Sequence, residues 1–162
     1  MPSTLKILLL SILYALGATT VANCQQNIPS ASWEKLQNGI AVAVTLNGTL
    51  VTAYVNNTSS SPLKIVGDDR HLVRFFYIDA NHEITPLRDR LDVNVYASRK
   101  VAGSAILPSG GQSPFHQQID ISPDELAAIQ TCPVACRFIV LNPSTQQYYN
   151  VESTPKVLRS GL

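Results

Sequence analysis

Gly39–Asn57 reads GIAVAVTLNGTLVTAYVNN. Two runs of β-branched and aliphatic residues flank Asn47-Gly48, a dipeptide suited to a type I′ turn because both central residues there need φ > 0. A two-residue turn at Asn47-Gly48 predicts Leu46 opposite Thr49, Val44 opposite Val51, Val42 opposite Ala53 and Ile40 opposite Val55. One face then carries Ile40, Val42, Val44, Leu46, Val51, Ala53 and Val55. The other carries Ala41, Ala43, Thr45, Leu50, Thr52 and Tyr54, which are smaller or more polar. An apolar face of that extent needs a second sheet packed over it.

The chain downstream supplies the strands for one. Asn56–Pro62 is a polar connector of turn formers, Leu63–Val66 restarts a strand, and Gly67-Asp68-Asp69-Arg70 turns the chain. Leu72–Asp79 (LVRFFYID) is apolar on both faces, which predicts a strand near the centre of the partner sheet, with Arg74 at a rim. Asp79–Glu83 reads as a hairpin loop with Asn81 in the left-handed region, and Pro86 stops the return strand. Leu91–Ser98 alternates cleanly, and short strands are predicted at Ser104–Leu107, Phe115–Ile121, Arg137–Leu141 and Gln146–Glu152. Ser122-Pro123-Asp124-Glu125 is a capping box with proline at the first helical position, so a short helix is predicted over 123–131. Ser153–Leu162 reads as a loose basic tail. Roughly eight or nine short strands with turn signals between them predict an all-β antiparallel two-sheet sandwich, immunoglobulin-like, with a small closed barrel as the alternative.

The first 24 residues read as a targeting signal. Lys6 supplies the positive start, Ile7–Leu16 an apolar core too short to span a bilayer, and Gly17–Cys24 a small-residue end. The reading is a signal peptide over 1–24 and one domain over 25–162, exported to a periplasmic or extracellular space. Cleavage after Cys24 removes that thiol and cleavage after Ala22 retains it. Val21-Ala22-Asn23-Cys24 also has the outline of a lipobox, which makes Cys24 a candidate for lipidation and a membrane anchor. The three cysteines then leave Cys132 and Cys136 as a pair. In an oxidising compartment these are expected to form a disulfide pinning a short turn, worth on the order of 2 kcal/mol. Without Lys6 the basic and acidic residues balance at eleven each, so nothing in the charge recruits nucleic acid or an anionic surface.

Chemistry-bearing residues are scattered. Asp68, Asp69 and His71 precede the aromatic strand, and Asp79, His82 and Glu83 follow it. His and carboxylate ligands suit a divalent ion, but a strand of that length separates the two groups by about 25 Å. They read as two turns. His116 falls on a solvent face. No serine or cysteine has a nucleophile context, and the Cys132–Cys136 spacing is one residue too long for a C-x-x-C redox motif. Arg88, Arg90, Arg99 and Lys100 bracket the Leu91–Ser98 strand as solvated charge guarding an edge. Asn47-Gly48-Thr49, Asn56-Asn57-Thr58 and Asn57-Thr58-Ser59 match the N-glycosylation sequon. Pro108–Pro114 is the least regular loop, and Ser109, Gly110, Gly111 and Gln112 are its candidate contact residues.

Val55-Asn56-Asn57-Thr58-Ser59-Ser60-Ser61-Pro62-Leu63 resembles a passage of small bacterial immunoglobulin-like proteins, the BsuPI-type proteinase inhibitors among them: a strand, an asparagine, a polar loop, then proline before the next strand. The resemblance covers under a tenth of the chain. The tryptophan that follows the late glycine loop in that pattern has no counterpart in Pro108–Phe115, and no function is carried over. The expectation is a non-catalytic module, without cofactor, that binds a protein partner or belongs to a cell-envelope assembly. An inhibitor of an exported protease, presenting Pro108–Pro114, is the alternative, and a metal-dependent enzyme the third.

Overall fold

A computed structural model of the chain describes residues 33–67, 71–90, 103–111 and 113–159. The signal segment with Cys24, the Leu91–Ser98 strand, Asp68, Asp69, Arg99, Lys100 and Gln112 lie outside the described residues. Strands β2 (Ile40–Asn47) and β3 (Leu50–Asn57) form the expected hairpin. Its register differs from the expectation: Asn47 faces Leu50, Leu46 faces Val51 and Val44 faces Ala53. The central turn residues are therefore Gly48 and Thr49. Of these only Gly48 has positive φ, at 59°, which is the type II′ pattern with glycine at the first central position. The pairing has moved by two residues, an even number, so no side chain changes face. Ile40, Val42, Val44, Leu46, Val51, Ala53 and Val55 are all buried.

The hairpin sits in a four-stranded sheet ordered β1-β2-β3-β8, where β1 is Glu34–Lys35 and β8 is Phe115–Asp120. The second sheet contains β4 (Leu63–Gly67), β5 (Val73–Ile78), β6 (Ile84–Pro86), β7 (Gly103–Leu107), β9 (Val134–Asn142) and β10 (Gln147–Glu152). Strand β9 is its axis. Along one edge it pairs first with β5, Tyr77 through Val73 facing Val134 through Phe138, and then with β4, Val66 facing Ile139. Val66 and Val73 thus meet adjacent residues of β9. Strands β4 and β5 are one line of strand, interrupted where the chain leaves after Gly67 and returns at Val73. On its other edge β9 pairs with β10. Among the described residues the strands form two separate antiparallel sheets, the arrangement of a sandwich rather than of a closed barrel.

The core between the sheets takes Ile65, Val73, Phe75, Val134, Cys136, Phe138 and Val140 from the second sheet. Strand β5 turns Val73 and Phe75 to the core, and on its outer face Phe76 is buried under the Arg137 guanidinium, 5.3 Å from the ring centre, while Arg74 is exposed. Helix α1 (Pro123–Ile129) starts at Ser122 with both halves of the capping box made: Ser122 Oγ accepts from the Glu125 N–H, and the Glu125 carboxylate accepts from the Ser122 N–H. In the Asp79–Glu83 turn His82 (φ 63°), rather than Asn81, takes the left-handed conformation. The Asp79 carboxylate accepts the N–H groups of Asn81 and Glu83, which defines that turn locally.

The disulfide expectation is overturned: Cys132 and Cys136 are both free thiols. Cys136 belongs to extended β9 and points into the core, fully buried, while Cys132 precedes the strand at the half-buried end of the α1 turn. An extended start to β9 advances about 3.3 Å per residue, which carries the second cysteine away from the first, and a disulfide needs Cα atoms within about 7 Å. The segment after β10 is held rather than loose over its described residues. Lys156 and Val134 exchange backbone hydrogen bonds, Thr154 donates to the Glu34 carboxylate, and Ser153 and Leu158 are buried.

Candidate functional site

Alternation along β4, β7, β9 and β10 sends every second side chain to the outside of the second sheet. Register places Tyr148, Leu141, Lys64 and Ile106 in one row across that face. Asn150, Ile139, Val66 and Ser104 make the next row, and Glu152, Arg137 and Arg74 the third. Ile106 is 72% exposed, Tyr148 66% and Ile139 40%. Arg137 is held by the Glu152 carboxylate at 2.8 Å. Where β4 breaks off and β5 resumes, the face dips into a hollow of about 530 Å³ lined by Val66, Leu72, Arg74, Arg137, Ile139 and Tyr148. Its lining is chiefly apolar with two guanidinium groups at the rim.

A polar group adjoins this hollow, with His71 lining it and joining the group. The Gln117 side chain, reaching from β8 to the other sheet, donates to the Val73 carbonyl at 2.7 Å and accepts the Val73 N–H at 3.0 Å. Its amide nitrogen also lies 3.2 Å from His71 Nδ1, and His71 Nε2 is 3.9 Å from Asp89. Arg90 pairs with Asp120, and the Asp120 N–H donates to Asp89. Hydrogen bonding from the Thr49 side chain, then Arg90, holds the Asp120 carboxyl below the ordinary carboxylate value. These contacts tie β8, the β4–β5 break and the chain after β6 to one another.

His71 therefore joins Gln117 and Asp89. His82 lies in the exposed Asp79–Glu83 turn, so the two histidines serve different parts of the fold. His116 is exposed, its ring 6.2 Å from that of Tyr54. Among the described residues no three His, Cys, Asp or Glu side chains are grouped to hold a metal ion. Cys136 is buried, and burial pushes its thiol up to about 11, the reverse of an activated nucleophile.

The candidate contact loop is short and tethered. Ser109–Gly111 form a 3-10 turn; the Gly110 N–H donates to the Ser59 carbonyl, and the Asn56 amide donates to the Gly111 carbonyl. Ser109 and Gly110 stay exposed. Of the sequon asparagines, Asn57 is buried and donates to the carbonyls of Ser61 and Leu107. Asn56 is engaged with Gly111, while Asn47 is exposed at the hairpin end. The exposed apolar rows on the second sheet had no single-strand signal. Leu141 and Ile106 look like ordinary core residues until pairing assigns their face.

Among the described residues no helix is long and apolar enough to cross a membrane. The chain matches no family model, no curated protein and no solved structure.

Proposed function

We propose that this chain is an exported, non-catalytic β-sandwich of immunoglobulin-like kind that works by binding another protein, free or within a cell-envelope assembly. Acylation of Cys24, where it occurs, would tether the same domain to a membrane. One observation carries the reading: the outer face of the second sheet leaves Ile106, Ile139 and Tyr148 exposed in adjoining rows beside an apolar hollow. Contiguous exposed apolar surface rimmed by charge is the mark of an interaction site, whereas single exposed hydrophobics are ordinary.

The test is capture of a binding partner by the mature protein and by the double variant Ile106→Glu with Ile139→Glu. Both side chains already face solvent, so the variant is expected to unfold at the wild-type denaturant concentration. A partner retained by wild type and lost by this variant supports the reading; retention by both removes it.

The protease-inhibitor reading is second, and the tethering of Ser109–Gly111 favours it. A loop held in one conformation loses little entropy when a protease closes on it. A panel of exported proteases titrated with the protein decides that reading, and residual activity at stoichiometric excess throughout the panel eliminates it.

A further inference from the structure

Among the described residues no strand pairs with the outer edge of β10, and its hydrogen-bond parity shows what that edge presents. The Ser153 N–H donates inward to the Cys136 carbonyl, while the Thr154 N–H points away from β9 and is taken by the Glu34 carboxylate at 3.0 Å. In an antiparallel pair the inward and outward residues alternate. Carried back through the β9–β10 register, Tyr149 and Val151 bond to β9, and Tyr148, Asn150 and Glu152 direct both their N–H and C=O groups outward.

The other devices that close a sheet edge are missing from β10. The sequence QYYNVE contains no lysine, proline or glycine, and its one formal charge is Glu152. By contrast β8, which ends the first sheet, has the outward Asp120 N–H occupied by Asp89. Beside the β10 edge lies a hollow of about 550 Å³, walled by Leu36, Gln37 and Asn38 on one side and by Tyr148–Glu152 on the other.

The geometry points to a second copy of this chain as the occupant: we propose a two-fold dimer in which β10 pairs antiparallel with β10 across this edge. Outward residues must meet outward residues, so the register centred on Asn150 sets Asn150 against Asn150 and Tyr148 against Glu152 of the second copy. That register sets no like charges opposite each other and makes two aromatic–β-branched pairs, Tyr149 with Val151. Each Glu152 carboxylate, already neutralised by Arg137 in its own chain, faces a tyrosine and never the other glutamate. The two second sheets become one continuous sheet, and the outer row of Tyr148, Leu141, Lys64 and Ile106 runs on into Glu152, Arg137 and Arg74 of the other copy. The proposal is independent of the protein-binding reading, which concerns the outer face and is scored by partner capture.

Sedimentation equilibrium of the mature protein measures the dimer directly. Asn150→Pro removes the two symmetric hydrogen bonds at the axis while leaving the inward bonds of Tyr149 and Val151 in place, a position where an edge strand accepts proline. It is expected to weaken dimerisation about 30-fold at an unchanged unfolding midpoint. Asn150→Lys sets two ammonium groups against each other and is expected to dissociate the dimer too. Tyr148→Lys places its ammonium opposite Glu152 of the second copy and is expected to leave the dimer intact. Wild type that stays monomeric at submillimolar concentration overturns the proposal. If that monomer also loses stability on Asn150→Pro, the edge has another occupant, the chain before Trp33 among them. A dimer indifferent to Asn150→Pro, or one broken by Tyr148→Lys as readily as by Asn150→Lys, overturns the register.

Discussion

Cys136 shows how much a single position depends on which way a strand faces. Burial is the main cause that lifts its thiol from 9.0 to about 11, and the Ser153 hydroxyl, which accepts the Cys136 N–H, offsets part of the rise. The unfolded chain therefore loses this proton first as pH rises. The contribution to stability is whole below about pH 9 and falls between 9.0 and about 11, by about 1.4 kcal/mol per pH unit at its steepest. Urea unfolding of wild type and Cys136→Ala from about pH 8 to about pH 11 should show the advantage of wild type shrinking across that window. Other titrating groups cancel in the difference, and a constant difference would contradict the burial. Alkylation of the native protein should mark Cys132 and spare Cys136, with both marked in denaturant.

At the level of elements, the hairpin and its entry turn separate two kinds of glycine. Gly48 has φ 59° with open space where a Cβ would stand. Gly39 has φ 73°, and a Cβ there would come 2.8 Å from Ser59 Cβ and 3.0 Å from the Ser59 nitrogen. Gly48→Ala should cost about 1 kcal/mol of backbone strain alone, and Gly39→Ala about 3 kcal/mol because the connector after β3 must also move. Paired urea titrations check the order; equal losses would mean that the connector yields freely. The existence of the hairpin and both of its faces were legible in the sequence, and so was the capped start of α1, since each depends on neighbours a few residues apart. The choice between Asn47-Gly48 and Gly48-Thr49 as the turn centre was not. Both settings keep the same face buried, so hydrophobic pattern cannot separate them, and the type II′ setting leaves Asn47 free to end β2.

In the whole molecule, the two sheets are tied by polar contacts as well as by apolar burial. Gln117 imitates a strand partner for Val73 across the sandwich, satisfying a buried N–H and its carbonyl together. Gln117→Ala should destabilise by about 2–3 kcal/mol, the cost of orphaning buried backbone groups. Its exposed neighbour in Gln118→Ala should stay within about 0.5 kcal/mol of wild type. Chemical denaturation with an unchanged m-value checks both, and a small loss at Gln117 would show that water replaces the amide. Alternation through Phe115, Ile119 and Ile121 already puts Gln117 on the inward face and Gln118 outside, but its partner was not legible, because Val73 lies 44 residues away in sequence.

Alternation, turn formers and the capping box by themselves determined an all-β chain with one short helix and a hairpin of known faces, because those rules act within a turn or a strand. The tertiary structure alone decided that Cys136 faces the core away from Cys132, and that His71 meets Asp89 and Gln117. It alone made β4 and β5 one interrupted strand and left the outer edge of β10 without a strand partner among the described residues. Each of these is a pairing between distant segments, settled by how the two sheets close over a shared core. The hairpin at Gly39–Asn57 supplies half of that core, and the other half is assembled around β9.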